Sequence, residues 1–241
     1  METNQRCINE LLNEHKFNIP NYQRPYSWTE KHINELMSDL YENYKDTDNN
    51  YKNQDDNIYF LGSIITINSR ILDGGYEVID GQQRTTTLFI LLSVIYHYTE
   101  SKLIKSLISS IIIEDKQLKI YLANENNRFI YNRMIANTPN DKEIQENEKN
   151  NKLTKVHLKY IQNYNHIKDA LDEIKKDDIE FKLLDFTKYI LNSVFLVHVN
   201  CYNLETGCRF FETMNNRGLD LRQIDLFKAF MINKNHKELS K

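Results

Sequence analysis

Apolar positions follow two different periods along this chain, and the change from one to the other marks out its elements. Ile33, Leu36, Met37, Leu40 and Tyr44 recur at the spacing of one helical face. Ser27-Trp28-Thr29-Glu30 stands ahead of them at capping-box spacing, which predicts a helix start there. The polar stretch 46–56 predicts a loop. Tyr59 to Ile67 is a short apolar run suited to a buried strand, Gly74-Gly75 a turn, and Tyr76 to Asp80 a second strand. Gly81 then turns the chain into a helix carrying Leu88, Leu91, Leu92 and Ile95 on one face. Nearer the N-terminus, Cys7 to Phe17 predicts a short element ending in extended chain, because Pro20 and Pro25 restrict the residues before them.

Beyond residue 100 the pattern is mostly helical. Ile111-Ile112-Ile113 and Leu118 to Leu122 flank Glu114-Asp115-Lys116-Gln117, the arrangement of a hairpin. Helical spacing resumes at Asn126, breaks over the polar stretch 138–150, and continues over 153–175 and 179–191. A further strand is expected at Val194 to Val199 and a helix from about Glu205 to Met214. Asn215-Asn216-Arg217-Gly218 ends that helix, and Leu221 to Ile232 begins another. The fold class expected is α+β, with a small mixed sheet near the N-terminus and a packed, predominantly helical lobe. Residues 1–100 form the α/β core in this reading and 101–241 the helical lobe, which includes one strand.

Composition narrows the function classes. Hydrophobic residues are 40% and charged residues 27% of the 241, which suits a globular chain rather than a disordered one. No apolar run approaches the roughly 18 residues of a membrane span, so no membrane partner is expected. Three scattered cysteines, Cys7, Cys201 and Cys208, fit a reducing cytoplasm better than a disulfide framework. The formal charge of -3 lacks the basic footprint of a general nucleic-acid binder, leaving DNA contact to a local patch or a partner.

The strongest chemical signal is Asp80-Gly81-Gln82-Gln83-Arg84-Thr85-Thr86, a strand end, a glycine turn and a helix start. Orphan backbone N–H groups and the positive helix end make such a junction an anion site. Gly81 allows a tight turn and a close ligand approach. Arg84 has the fork to grip a phosphate, with Thr85 and Thr86 offering hydroxyls to its oxygens. Asp80 could hold a metal ion or orient Arg84, and Gln82 and Gln83 could bind a base, ribose or phosphate, or position a water. The competing structural reading makes Asp80 a helix cap and pairs Arg84 with Asp80 or Glu77.

Two more clusters carry candidate chemistry. In Ile19-Pro20-Asn21-Tyr22-Gln23-Arg24-Pro25-Tyr26-Ser27-Trp28, two prolines stiffen a segment whose aromatics could stack on a base and whose Arg24 could meet a phosphate. The alternative is that Tyr26 and Trp28 staple the segment to the following helix. In Phe211 to Lys228, Asn215, Arg217, Asp225 and Lys228 surround a helix–helix link at Gly218. Capping alone accounts for Asp225, whereas Asn215 and Lys228 stay open between ligand contact and scaffold. There is no metal-ligating histidine spacing, no phosphate-loop or dinucleotide glycine motif, and no nucleophile elbow.

Taken together, four stretches in order, 19–28, 59–64, 78–88 and 211–228, resemble the N-terminal domain of GmrSD-type restriction endonucleases, of the ParB/sulfiredoxin-like class. The resemblance implies a nucleoside triphosphate-hydrolysing defence domain, with GTP or another triphosphate as substrate; the mechanism expected at Asp80–Arg84 adds Mg²⁺. It implies work alongside a nuclease domain that cleaves modified phage DNA, expected here on a separate or further stretch of chain. The family's Asp-Gly-Gln-Gln-Arg signature falls on Asp80, Gly81, Gln82, Gln83 and Arg84. Its Tyr-Gln-Arg element falls on Tyr22, Gln23 and Arg24, and its Asn-x-x-Gly element on Asn215 and Gly218. One departure is Arg222 in place of the Ser or Thr three residues before Asp225, which moves the cap elsewhere, to Asp220 for instance. The mechanism this suggests is phosphoryl hydrolysis, with Asp80 as metal ligand and Gln82 or Gln83 aligning water. Two rivals are metal-dependent DNA nicking and a non-catalytic module that senses nucleotide or modified DNA.

Overall fold

Among the described residues six strands assemble into one mixed sheet, and helices cover both of its faces. The computed structural model describes residues 1–49, 58–115, 117–122 and 154–216. Its strands are β1 (Glu2–Cys7), β2 (Phe17–Ile19), β3 (Tyr59–Asn68), β4 (Tyr76–Asp80), β5 (Ile113–Glu114), β6 (Gln117–Leu118), β7 (Ile120–Leu122) and β8 (Val194–Cys201). Its helices are α1 (Ile8–Glu14), α2 (Glu30–Asn49), α3 (Gln82–Tyr98), α4 (Lys102–Ile112), α5 (Lys155–Asp177), α6 (Leu183–Ser193) and α7 (Leu204–Asn216). The sheet order is β1-β8-β3-β4-β2-β7, with β5 and β6 a separate hairpin. Pairings are antiparallel for β1–β8 and β3–β4 and parallel for β8–β3, β4–β2 and β2–β7.

The α+β class expected from the periodicities is the one observed, with differences that have physical causes. Glu2–Cys7 is too polar to announce a strand, yet it pairs along its whole length with β8. As an edge strand it needs only one neighbour, and backbone pairing makes no demand on its outward side chains. Ile111 and Ile112 close α4 instead of opening a hairpin, because Ile104, Ile108, Ile111 and Ile112 line one buried helical face. The hairpin shrinks to β5 and β6, and Ile120 to Leu122 joins the main sheet beside β2. Since β8 inserts between β1 and β3, the sheet takes strands from both sides of residue 100.

Helix α3 is buried on nearly every side, not just along the Leu88–Ile95 stripe. It packs against α4, α5 and β3, so Phe89, Ile90 and Val94 leave water as well. An all-round apolar helix belongs at the centre of a fold. The opposite face of the sheet carries a smaller cluster of Ile65, Ile67, Ile79, Val199 and Cys201, with Phe210 of α7 packed on it. In α2, Ile33, Leu36, Met37, Leu40 and Tyr44 are all buried as their spacing requires. Its cap lies two residues later than Ser27: the Thr29 N–H donates to His32 Nδ1 at 3.2 Å, and the Ile33 N–H to the Thr29 carbonyl.

Candidate functional site

The end of β4 is shaped by an irregularity in its pairing with β3. Ile65 faces Asp80 and Thr66 faces Val78, so Ile79 is an extra residue in β4. Such a bulge bends its strand and re-aims the next side chain, here Asp80. The chain then passes through Gly81 at φ +90°, and α3 begins at Gln82 with no side-chain cap. Asp80 therefore does not cap the helix. A Cβ at position 81 would lie 3.0 Å from the Ser63 carbonyl oxygen and 3.2 Å from Ile64 Cα. The same Ser63 oxygen accepts from Arg84 Nη1 at 2.8 Å. Among the described residues no ion pair joins Arg84 to Asp80 or Glu77, and Glu77 instead accepts from the Tyr22 hydroxyl at 2.7 Å.

The proline-bounded segment 20–29 forms the facing wall. Beta strand β2 leaves the sheet after Ile19, and Gln23 takes over the contact with β4. Its Nε2 donates to the carbonyls of Ile79 at 2.7 Å and Val78 at 3.3 Å, the two residues at the bulge. From the other side, Gln83 Oε1 accepts from the Ser27 N–H at 2.7 Å and its Nε2 donates to the Pro25 carbonyl at 3.4 Å. Tyr26 is buried and stacked on Tyr160 of α5, with ring centroids 5.0 Å apart. Its hydroxyl meets Thr87 Oγ1 at 2.8 Å and Asn163 Nδ2 at 3.0 Å, and burial pushes its pKa up to about 12. Asn163 also donates to the Trp28 carbonyl, and Lys159 Nζ to that of Ser27.

Between the two walls lies a cleft of about 140 Å³ lined by Gln23, Arg24, Trp28, Asp80, Gly81, Gln82, Gln83 and Arg84. The structure thus brings together the Asp-Gly-Gln-Gln-Arg turn and the Gln-Arg pair of the first cluster. Arg24 is exposed, Asp80 and Arg84 are half-buried, and Gln82 is buried. Thr85 is buried and its hydroxyl donates to the Gly81 carbonyl at 3.1 Å, while Thr86 is fully buried. Neither is among the residues that line the cleft. Gln83 holds the segment 25–27 through both ends of its amide. Tyr22 is largely exposed and stands outside the cleft. Trp28 stacks on His32, as a staple to α2 requires, whereas Tyr26 anchors to α5. Asn215 lies in the last turn of α7, and Arg217, Gly218, Asp225 and Lys228 fall outside the described residues.

A second hollow of about 250 Å³ adjoins the cleft and shares Gln23, Arg24 and Gln82 with it. Among the described residues no group of three His, Cys, Asp or Glu side chains is placed to hold a metal ion. No described helix is long and apolar enough to cross a membrane.

Residues 8–232 match the family model for the N-terminal domain of GmrSD restriction endonucleases. The chain belongs to that family. No curated protein matches it at a significant level. The match gives this GmrSD N-terminal domain an association with restriction systems, and it covers both walls of the cleft. Pattern reasoning missed the supports behind the GmrSD-type turn: Ser63, Thr87, Lys159 and Asn163. Asn163 alone left a signal, as a polar residue within the stripe Tyr160, Ile161, Tyr164, Ile167 of α5.

Proposed function

We propose that this domain binds a nucleoside triphosphate with its phosphates at the start of α3 and hydrolyses it, in service of a restriction system whose nuclease lies in a partner domain. The observation that carries the reading is the uncapped N-terminus of the 17-residue α3, opening through Gly81 into a cleft walled by Arg24 and Arg84. Unpaired N–H groups and the helix dipole attract an anion, and Gly81 lets it come close. Arg24 supplies an exposed positive charge from the facing wall, and the Arg84 N–H groups not used on Ser63 supply a second, held by that bond. Gln82, which lines the cleft with Asp80, would orient a water. A single carboxylate suits Mg²⁺, which is commonly held by one or two carboxylates together with substrate phosphates and water; Asp80 would hold it, and the ion would add charge neutralisation at the phosphates. That same single carboxylate supports a second reading, binding without turnover.

The test is phosphate release and binding with ATP, GTP, CTP and UTP in Mg²⁺, comparing wild type with Arg24→Ala and Arg84→Ala. Turnover by the wild type that both variants lose supports hydrolysis at this cleft. Binding without turnover supports the sensor reading. Turnover retained by both folded variants would sink the assignment.

A further inference from the structure

The cleft at Gly81 is too small to be the whole of a nucleotide site. Its volume is about 140 Å³, and the adjoining hollow measures about 250 Å³. Each is below the roughly 300 Å³ at which small-molecule pockets begin, and together they pass it. The hollow's lining is the more apolar of the two. The cleft is walled by Arg24, Asp80, Arg84 and three glutamines around a helix N-terminus. The hollow sets apolar Ile19, Pro20, Leu122 and Val156 and the ring of Tyr160 beside polar Asn21, Gln23, Arg24, Gln82 and Thr154. Gln23, Arg24 and Gln82 belong to both and form the partition between them.

Resting on the phosphate reading above, we infer that the hollow beside Ile19 and Val156 is the subsite for the nucleoside part of the ligand. Flat, weakly solvated ring faces gain from the aliphatic and aromatic part of this wall, which the cleft lacks. The Asn21 amide, one acceptor and two donors, is the group available to pair with a base edge. Arg24 on the partition lies where the sugar and the first phosphate meet. A ligand made of phosphate alone would leave the larger of the two spaces to water.

The experiment compares inorganic triphosphate with the four nucleoside triphosphates by titration calorimetry on the full chain, wild type and Val156→Trp. Val156 is half-buried in the first turn of α5, where an indole would fill the hollow without entering the cleft. At least one nucleotide should bind wild type about tenfold or more tightly than triphosphate, a difference of ~1.4 kcal/mol. Val156→Trp should erase that preference while triphosphate affinity stays within about twofold. Equal wild-type affinity for triphosphate and nucleotides overturns the subsite and leaves the phosphate reading standing. A folded Val156→Trp that keeps its nucleotide preference also overturns it. Binding of neither ligand removes the phosphate reading, and this inference with it. The wild-type comparison decides the matter even where the variant fails to fold.

Discussion

Replacing Gly81 by alanine tests the geometry on which every reading of the cleft depends. Gly81 sits at φ +90°, where a Cβ would meet the Ser63 carbonyl oxygen at 3.0 Å and Ile64 Cα at 3.2 Å. Both are backbone atoms of β3, so neither can swing aside. Gly74 offers an internal control: its φ is +64°, and a Cβ there meets nothing within 4 Å. For either residue the left-handed backbone costs alanine about 1–2 kcal/mol, partly offset by the lower entropy of the unfolded alanine chain. Only Gly81 adds crowding against the sheet, on the order of 2 kcal/mol for an over-packed site. Gly81→Ala should therefore melt roughly 4–8 °C below Gly74→Ala, given ~2–4 °C per kcal/mol for a domain of this size. Scanning calorimetry at neutral pH on both variants and wild type measures it. Melting within a degree or so of Gly74→Ala would refute the close approach of the turn to Ser63, and with it the account of why glycine stands there.

Other expected outcomes follow from single contacts. Gln23→Ala frees the Val78 and Ile79 carbonyls at the bulge and should cost about 1–2 kcal/mol in denaturant unfolding. Gln23→Glu should cost more, since it turns acceptor oxygens toward those carbonyls. Tyr26→Phe keeps the stack on Tyr160 but removes the hydroxyl between Thr87 and Asn163, and should destabilise by about 1–2 kcal/mol. Burial, with the charges of His15 and Arg6 behind it, holds the His198 pKa down at about 3 against an ordinary 6.5. The unfolded chain therefore binds the extra proton between those values, so the stabilisation is complete above about pH 6.5 and is lost as pH falls toward 3. Between pH 7 and 5 this one residue should remove up to about 2 kcal/mol. His198→Gln should flatten that part of the stability profile in urea titrations, and an unchanged slope would count against the assignment.

The residues that could be read from sequence were those whose roles are local. Tyr76 to Asp80, Gly81 and the start of α3 were legible because a strand period, a glycine and a helix period meet within a few positions. Helix phase also held information that the polar crowding obscured. Thr85 stands four residues after Gly81, so its hydroxyl reaches back to the Gly81 carbonyl, and Thr86 turns into the core. β1 was hidden because an edge strand made of polar residues has no apolar signature of its own. Gln23 and Gln83 were legible as site residues but not in their roles. A glutamine amide looks the same in sequence whether it meets a ligand, a strand bulge 55 residues away, or a proline-bounded loop. Those roles are tertiary, and local pattern does not carry them.

The same distinction separates the two arginines as probes. Arg84 donates to the Ser63 carbonyl against which Gly81 packs, so its loss removes a half-buried backbone partner together with any ligand contact. A hydrogen bond from a charged donor contributes about 1.5–3 kcal/mol, enough for Arg84→Ala to shift stability as well as binding. Arg24 is exposed, and no described side chain forms an ion pair with it. Arg24→Ala should therefore leave the melting temperature nearly unchanged and alter only what enters the cleft. Loss of phosphate binding in Arg84→Ala alone, accompanied by lowered stability, would mean that the turn had collapsed. Loss in a fully stable Arg24→Ala would place positive charge from the facing wall on the ligand itself.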